Sequence, residues 1–351
     1  MRKPTTRKQT DVTQRSVTIV DVAELADVSI SAVSRAFNAE ASCSDSMRSK
    51  VFAAADELGY KPNRLARGIK SRSNLVGIIV TDFDNPAYLS ILNDFTATLQ
   101  RNGYHSLLIN VGADTDMREA VELVMEYHVD GLIVTSSALP NELVEVCHSQ
   151  GTPVVIFARH SLNNPVSVVC CDNVSAGRMA ADALSQAGYQ KFAFIGGVEG
   201  ASTTIDRQRG FITRLVELDH TNWQVIDGGR HSYDAGFDAT CRLFSFNEQP
   251  DALFFADDIL ACGGMDALRH ELGLKVPQQV GVIGVDDIGF AESRAYNLTT
   301  IRQPFDKMVQ KSVSTLLEHM SEDELVIKEV TLPCELIVRG SIKQQYELIA
   351  K

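Results

Sequence analysis

The sequence predicts two architectures in one chain, an all-α headpiece followed by an α/β core of two parallel-sheet lobes. Three observations lead there. The chain has 351 residues, more than one compact domain usually holds. Between Thr18 and Tyr60, apolar residues recur at helical spacing and are punctuated by capping residues. From Leu75 onward the period changes, and short apolar runs alternate with amphipathic stretches of helix length.

The headpiece reads as three short helices. Thr18 caps the first, Asp21 completes a capping box, and Val22 and Leu25 supply the buried stripe. A break at Ala26-Asp27-Val28 leads to Ser29, the cap of a second helix running to about Asn38. Ser44 opens a third, in which Val51, Ala55 and Leu58 repeat, and Gly59 with Pro62 ends it. In the core the apolar runs are Leu75–Val80, Leu107–Asn110, Gly131–Thr135, Val154–Phe157, Val166–Cys171, Phe192–Gly196, Ala252–Phe255 and Val280–Val285. Runs that are apolar throughout suit parallel strands covered on both faces. So many strands overfill one open sheet, which implies two lobes, the first beginning at Val76 and the second at Phe192. Parallel sheets take ligands beyond the carboxyl ends of their strands, so two facing lobes enclose a cleft.

Composition narrows the function. With 44% hydrophobic and 22% charged residues the chain is ordinary globular material. It shows no apolar run long enough to span a bilayer and no secretory signal behind its polar start, so a cytoplasmic protein without membrane contact is expected. The seven cysteines include no C-x-x-C pair and the eight histidines no H-E-x-x-H spacing, so packed free thiols and no metal are expected. Adjacent Cys170 and Cys171 lie in an apolar run and read as strand rather than redox switch. The net charge of −12 is divided unevenly. Residues 1–70 carry 12 Lys and Arg against 8 Asp and Glu, whereas the rest carries 21 against 37. A cationic segment on an acidic body fits a module that meets phosphates while the body is repelled.

Residues 19–26 followed by 28–38 form a helix-turn-helix pattern. Val33 and Phe37 point inward, leaving Ser29, Ile30, Ser31, Ser34 and Arg35 to face a major groove, flanked by Thr18 and Asn38. Arg35 is the sharpest candidate, because its fork donates twice to guanine O6 and N7.

Residues 18–73 resemble the headpiece of the lactose-repressor (LacI/GalR) family. The matching strings are Ala26 to Asn38 and Glu57-Leu58-Gly59-Tyr60-Lys61-Pro62-Asn63. The resemblance implies a hinge helix, with Asn63 as its cap, Leu65 within it, and Ile69 at the position of the family's minor-groove wedge. Gly68 and β-branched Ile69 both disfavour helix, so this hinge should order only on DNA. Asp27 replaces the family's usual turn glycine, a change tolerable because Asp accepts a left-handed backbone.

The resemblance continues through the core, which is similar to the family's periplasmic-binding-protein-like domain. It runs through Asp84-Asn85-Pro86-Ala87-Tyr88, Cys171-Asp172-Asn173, Ala256-Asp257-Asp258, Val285-Asp286-Asp287-Ile288 and Leu298 to Pro304. It implies an effector cleft lined by Tyr88, Arg207, Asp257 and Asp286. These types suit a polyhydroxyl ligand: carboxylates accept, arginine donates, and an aromatic face covers a ring. Asp257 stands where asparagine is common, which favours a neutral sugar or polyol. Ala158 replaces another frequent aspartate beside a retained Arg159.

The expected division is a disordered basic arm (1–17), a helix-turn-helix headpiece (18–62), a hinge helix and linker (63–73), and a core (74–351). Within the core, lobe one takes about 74–160 and 303–325, and lobe two about 161–302 and 326–342. The expected function is a sugar-controlled transcriptional repressor that binds pseudo-palindromic, double-stranded operator DNA as a homodimer and needs no cofactor. The absence of a leucine-heptad tail favours a dimer over a tetramer. A catalytic role finds no support: Gly196 to Gly200 lacks phosphate-loop spacing, and neither a Walker lysine nor a G-x-S-x-G elbow occurs. A sugar-binding protein without a regulatory role would share the core but would not need the headpiece.

Overall fold

The computed structural model describes residues 17–37, 41–60, 73–81, 83–111, 116–135, 139–160, 166–322 and 326–344. They fall into two units divided between Ser71 and Arg72. The expected hinge positions Asn63, Leu65 and Ile69, the terminal Asn38 and nearly all of the basic arm lie outside the described residues.

In the first unit, three helices fold around one small core: α1 (Ile19–Leu25), α2 (Ile30–Phe37) and α3 (Asp45–Leu58). The Thr18 hydroxyl accepts from the Asp21 N–H while Asp21 Oδ2 accepts from the Thr18 N–H at 2.7 Å, so the capping box forms. Val22, Ala23, Ala26, Val33, Ala36, Val51, Ala54 and Ala55 make the centre. One expectation fails here. Leu25 is 45% exposed, and Ala23 takes the inward position instead. Close approach of three short helices favours small side chains at their crossing, and alanine meets that need. Asp27 adopts φ 48°, the left-handed turn conformation expected of it. Gly59 ends α3 at φ 67°.

The second unit contains two six-stranded sheets. In the first, β1 (Leu75–Val80), β2 (His105–Asn110), β3 (Gly131–Val134), β4 (Val154–Phe157), β5 (Ser167–Cys171) and β11 (Glu329–Leu332) lie in the order β11-β5-β4-β3-β1-β2. In the second, β6 (Phe192–Gly196), β7 (Trp223–Asp227), β8 (Ala252–Phe255), β9 (Gly281–Asp286), β10 (Thr299–Arg302) and β12 (Glu335–Ile337) lie in the order β12-β10-β9-β8-β6-β7. All pairings are parallel except β10 with β12. The connecting helices are α4 (Ala87–Arg101), α5 (Met117–Glu126), α6 (Asn141–Ser149), α7 (Asn173–Gln186), α8 (Ser202–Glu217), α9 (Tyr233–Phe244), α10 (Asp258–Asp266, continued by a π-helical turn over Ala267–Glu271) and α11 (Phe305–Ser321).

The eight apolar runs are all strands, within one or two residues of the expected bounds. The lobe boundary needs correction. Residues 161–302 were assigned to lobe two, yet β5 pairs with β4 in the first sheet, with Val155 opposite Ser167. β11 likewise joins β5 in the first sheet, although 326–342 were assigned to lobe two as a block. The chain therefore crosses between lobes three times, at Asp172, at Gln303-Pro304 and at Pro333-Cys334. The cause is local: no helix stands between β4 and β5 among the described residues, so nothing in the pattern marks the crossing.

Candidate functional site

In the headpiece, α2 presents one face outward. Ser29, Ile30, Ser31, Ser34 and Arg35 are exposed, while Ala32, Val33 and Ala36 are buried. Exposed positions one turn apart form a continuous surface at the start of the helix. The Ser29 hydroxyl accepts from the Ala32 N–H at 3.2 Å and bonds Ser31 Oγ at 2.9 Å, which holds the first turn. Thr18 is half-buried, its hydroxyl engaged with Asp21 at 2.7 Å. Phe37 is half-buried against Phe52 and Tyr60, with ring centroids 5.1 and 5.9 Å away.

In the core, all four expected cleft residues converge. Tyr88, Arg207, Asp257 and Asp286 line one cavity together with Asn85, Ile91, Ala158, Arg159, Thr203, His231, Gln303 and Phe305. Its interior space is about 40 Å³, and it opens on one side to solvent. Most of the polar lining comes from segments just past strand ends, Asn85 after β1, Arg159 after β4, His231 after β7, Asp257 after β8 and Gln303 after β10, with Asp286 closing β9, while Thr203 and Arg207 stand on α8.

Asp286 is the most constrained of these. Its carboxylate accepts from Gln303 Nε2 at 2.6 Å and from Asn85 Nδ2 at 3.3 Å, the latter from the opposite lobe. Burial pushes its pKa up to about 6, against the opposing pull of Arg207. Its φ of 119° lies where L side chains rarely sit. Gln303 Oε1 is buried with no partner among the described residues, leaving an open acceptor beside Asp286.

Asp257 caps α10, accepting from the Leu260 N–H at 2.9 Å, while its second oxygen bonds His231 Nδ1. The Val198 N–H donates to His231 Nε2 at 3.4 Å, which places the imidazole proton on Nδ1, toward Asp257. Gly197 is obligatory here, since a Cβ would lie 2.2 Å from the His231 ring. Arg207 donates through Nε to Asn173 Oδ1 at 2.8 Å and through Nη1 to the Ala256 carbonyl. Its Nη2 has no protein partner among the described residues.

The paired carboxylates separate by role. Asp258 is fully buried, accepts from Thr300 Oγ1 at 2.6 Å and the Ile288 N–H at 3.0 Å, and has its pKa raised by burial and by Asp286. Asp287 forms ion pairs with Arg302 and Arg339, each at 2.6 Å. Neither lines the cleft. The lining thus balances Arg159 and Arg207 against Asp257 and Asp286, with Ile91, Tyr88 and Phe305 supplying apolar area.

Sequence reasoning missed Asn85, Thr203, His231 and Gln303 as lining residues. Asn85 and Gln303 stand inside the quoted strings, but nothing in one chain's pattern says that they reach Asp286 from opposite sides. His231 follows β7, a strand that was not recognised.

Residues 18–63 match the bacterial regulatory proteins of the lacI family, and residues 181–342 match a periplasmic binding protein-like domain. The chain is 30% identical over 331 residues to the HTH-type transcriptional repressor PurR of Vibrio vulnificus, covering 93% of this chain and 99% of that one. Among solved structures, the lac repressor dimer bound to operator and the anti-inducer ONPF matches with a TM-score of 0.79 and 26% identity, over 93% of this chain and 99% of the other. A complex of the transcriptional regulator CelR with cellobiose matches with a TM-score of 0.69 and 27% identity, over 93% and 100%.

Proposed function

The chain belongs to the lacI family of bacterial regulatory proteins, and from that premise we propose that it is a DNA-binding repressor of a carbohydrate-utilisation operon, controlled by a small neutral sugar or polyol. The observation that carries this reading is the joining, in one chain, of an outward-facing α2 surface to a cleft whose charges balance. A balanced lining leaves no net field for an anionic ligand, while the open acceptor on Gln303 and the spare Nη2 of Arg207 match hydroxyl groups. The cellobiose held by the structurally similar CelR supports the sugar class.

The dimer acts on two half-sites of a pseudo-palindromic operator, as the operator-bound lac repressor dimer suggests. Ser29, Ile30, Ser31, Ser34 and Arg35 read base edges, Thr18 and Asn38 hold the backbone, and Asn63, Leu65 and Ile69 belong to the hinge. Effector in the cleft meets residues of both lobes, changes how the lobes sit, and so alters operator affinity. The protein works as a sensor in the cytoplasm rather than as an enzyme. Asp257 and Asp286 are held by hydrogen bonds within the fold rather than poised as an acid/base pair. No helix among the described residues is long and apolar enough to cross a membrane.

Asp286→Ala tests the site. The sugar-dependent change in operator affinity should vanish while operator affinity without sugar stays within about twofold, read by fluorescence anisotropy. A variant that still responds normally removes Asp286 from the effector site.

A further inference from the structure

Two of the three crossings between the lobes carry a cysteine each. Cys171 ends β5 and immediately precedes the crossing at Asp172, and Cys334 stands in the crossing between β11 and β12. Pairing of β5 with β11 places Cys171 opposite Leu332, two residues before Cys334. Both sulfurs reach the same turn: Cys171 Sγ lies 3.4 Å from Asn173 Oδ1, and Cys334 Sγ lies 3.9 Å from the Asp172 carbonyl. Cys170 is directed elsewhere. It packs on the opposite face of the sheet, with its Sγ 3.8 Å from Thr331 Oγ1, so the vicinal pair in the sequence is not a pair in space. The neighbouring Cys171 thiol, with the nearby Arg207 charge, holds the Cys334 thiol below its ordinary value, whereas the Cys334 thiol and burial raise Cys171. Cys262 and Cys147, buried without such partners, are both pushed up. Cys334 is also the more accessible of the two, at 9% against 1%.

We propose that Cys171 and Cys334 form an oxidisable dithiol which, as a disulfide, ties two lobe crossings together and restrains movement between the lobes. A peroxide is the oxidant. The Cys334 thiol ionises and its thiolate attacks one peroxide oxygen; the S–O bond forms, the O–O bond breaks, and the leaving hydroxide takes up the proton released on ionisation to leave as water. Cys171 then attacks the Cys334 sulfenic sulfur; the S–S bond forms, the S–O bond breaks, and hydroxide departs with the Cys171 proton as water. Two electrons pass from the sulfurs to one peroxide. Reduction by a low-molecular-weight thiol reverses the step.

The test treats the full-length protein with hydrogen peroxide and maps thiols by differential alkylation and peptide mass. The free-thiol count should fall from seven to five, with one linked peptide joining Cys171 to Cys334, and dithiothreitol should restore all seven. Cys334→Ala and Cys171→Ala should each abolish that peptide. Hydrogen exchange at the three crossings should slow about threefold or more on oxidation in the wild-type protein. This last readout needs no variant to fold. A link between any other pair, oxidation of Cys334 to the sulfinic acid without a link, or retention of all seven thiols overturns the dithiol. Unchanged exchange at the crossings overturns the restraint.

Discussion

Asp286 should cost the folded core stability at neutral pH, and Asp286→Asn should recover part of it. Burial raises this carboxyl from an ordinary value of 3.8 to about 6. In the unfolded chain the proton is lost near pH 4, whereas the folded chain keeps it to about pH 6. The folded state therefore binds more protons across that window, and its stability falls as pH rises through it. A gap of about two pKa units corresponds to roughly 3 kcal/mol above pH 6. Asparagine cannot ionise, fits the same volume and tolerates the positive φ better than most side chains. Its new N–H group also finds a partner, because rotation of the Gln303 amide presents the oxygen that now has none. Loss of the charge beside Arg207 offsets some of the gain. The expected outcome is a variant more stable by about 1–3 kcal/mol at pH 7, with the difference fading toward pH 4. The chain's single tryptophan, Trp223, lies on β7 in the same lobe, so urea unfolding followed by its fluorescence reads the relevant transition. A variant less stable than wild type at pH 7, or a difference that does not change with pH, would refute the reasoning.

Other perturbations separate the parts of the account. Arg35→Ala should relax discrimination at one base pair per half-site by about 1–3 kcal/mol; equal losses on specific and random DNA would show that it reads only phosphates. Thr18→Ala removes the capping box of α1 and should lower headpiece stability by about 1 kcal/mol in thermal unfolding. At Gly177 a Cβ would lie 2.1 Å from the Arg207 carbonyl oxygen and 2.6 Å from the Phe211 nitrogen, and backbone cannot step aside as a side chain can. Gly177→Ala should therefore cost at least about 1–3 kcal/mol and weaken effector binding as well, because it displaces the helix that carries Arg207; a shift under about 0.5 kcal/mol would contradict the close packing of α7 on α8.

How much of this was legible in the sequence depends on what kind of signal each feature leaves. Strands buried on both faces, such as Val154–Phe157, are continuous apolar runs and were found. Trp223–Asp227 is an edge strand with alternating exposure, and Glu329–Leu332 and Glu335–Ile337 are short and partly polar, so none rose above its surroundings. Missing β7 concealed His231, whose place at the cleft follows only from lying past that strand. The misplaced lobe boundary has the same origin, since a crossing at Asp172 is a matter of which sheet a strand joins and not of the strand's own composition. Within the headpiece, the caps at Thr18, Ser29 and Ser44 were readable because each acts on neighbours three residues away. Leu25 against Ala23 was not, because in a helix of seven residues two registers of buried positions fit almost equally well.

The central claim is that a surface on α2 and the cleft in the core act on one equilibrium. The most direct measurement is fluorescence anisotropy of duplexes from the promoter regions flanking this gene and of random duplexes, at low and physiological salt, with and without each of a series of neutral sugars. The account predicts that one flanking duplex binds at least about 10³-fold more tightly than random DNA, and that at least one neutral sugar shifts that affinity by about 5- to 150-fold while leaving random DNA unaffected. Equal binding to all duplexes, or a specific affinity that no neutral sugar alters, would contradict it.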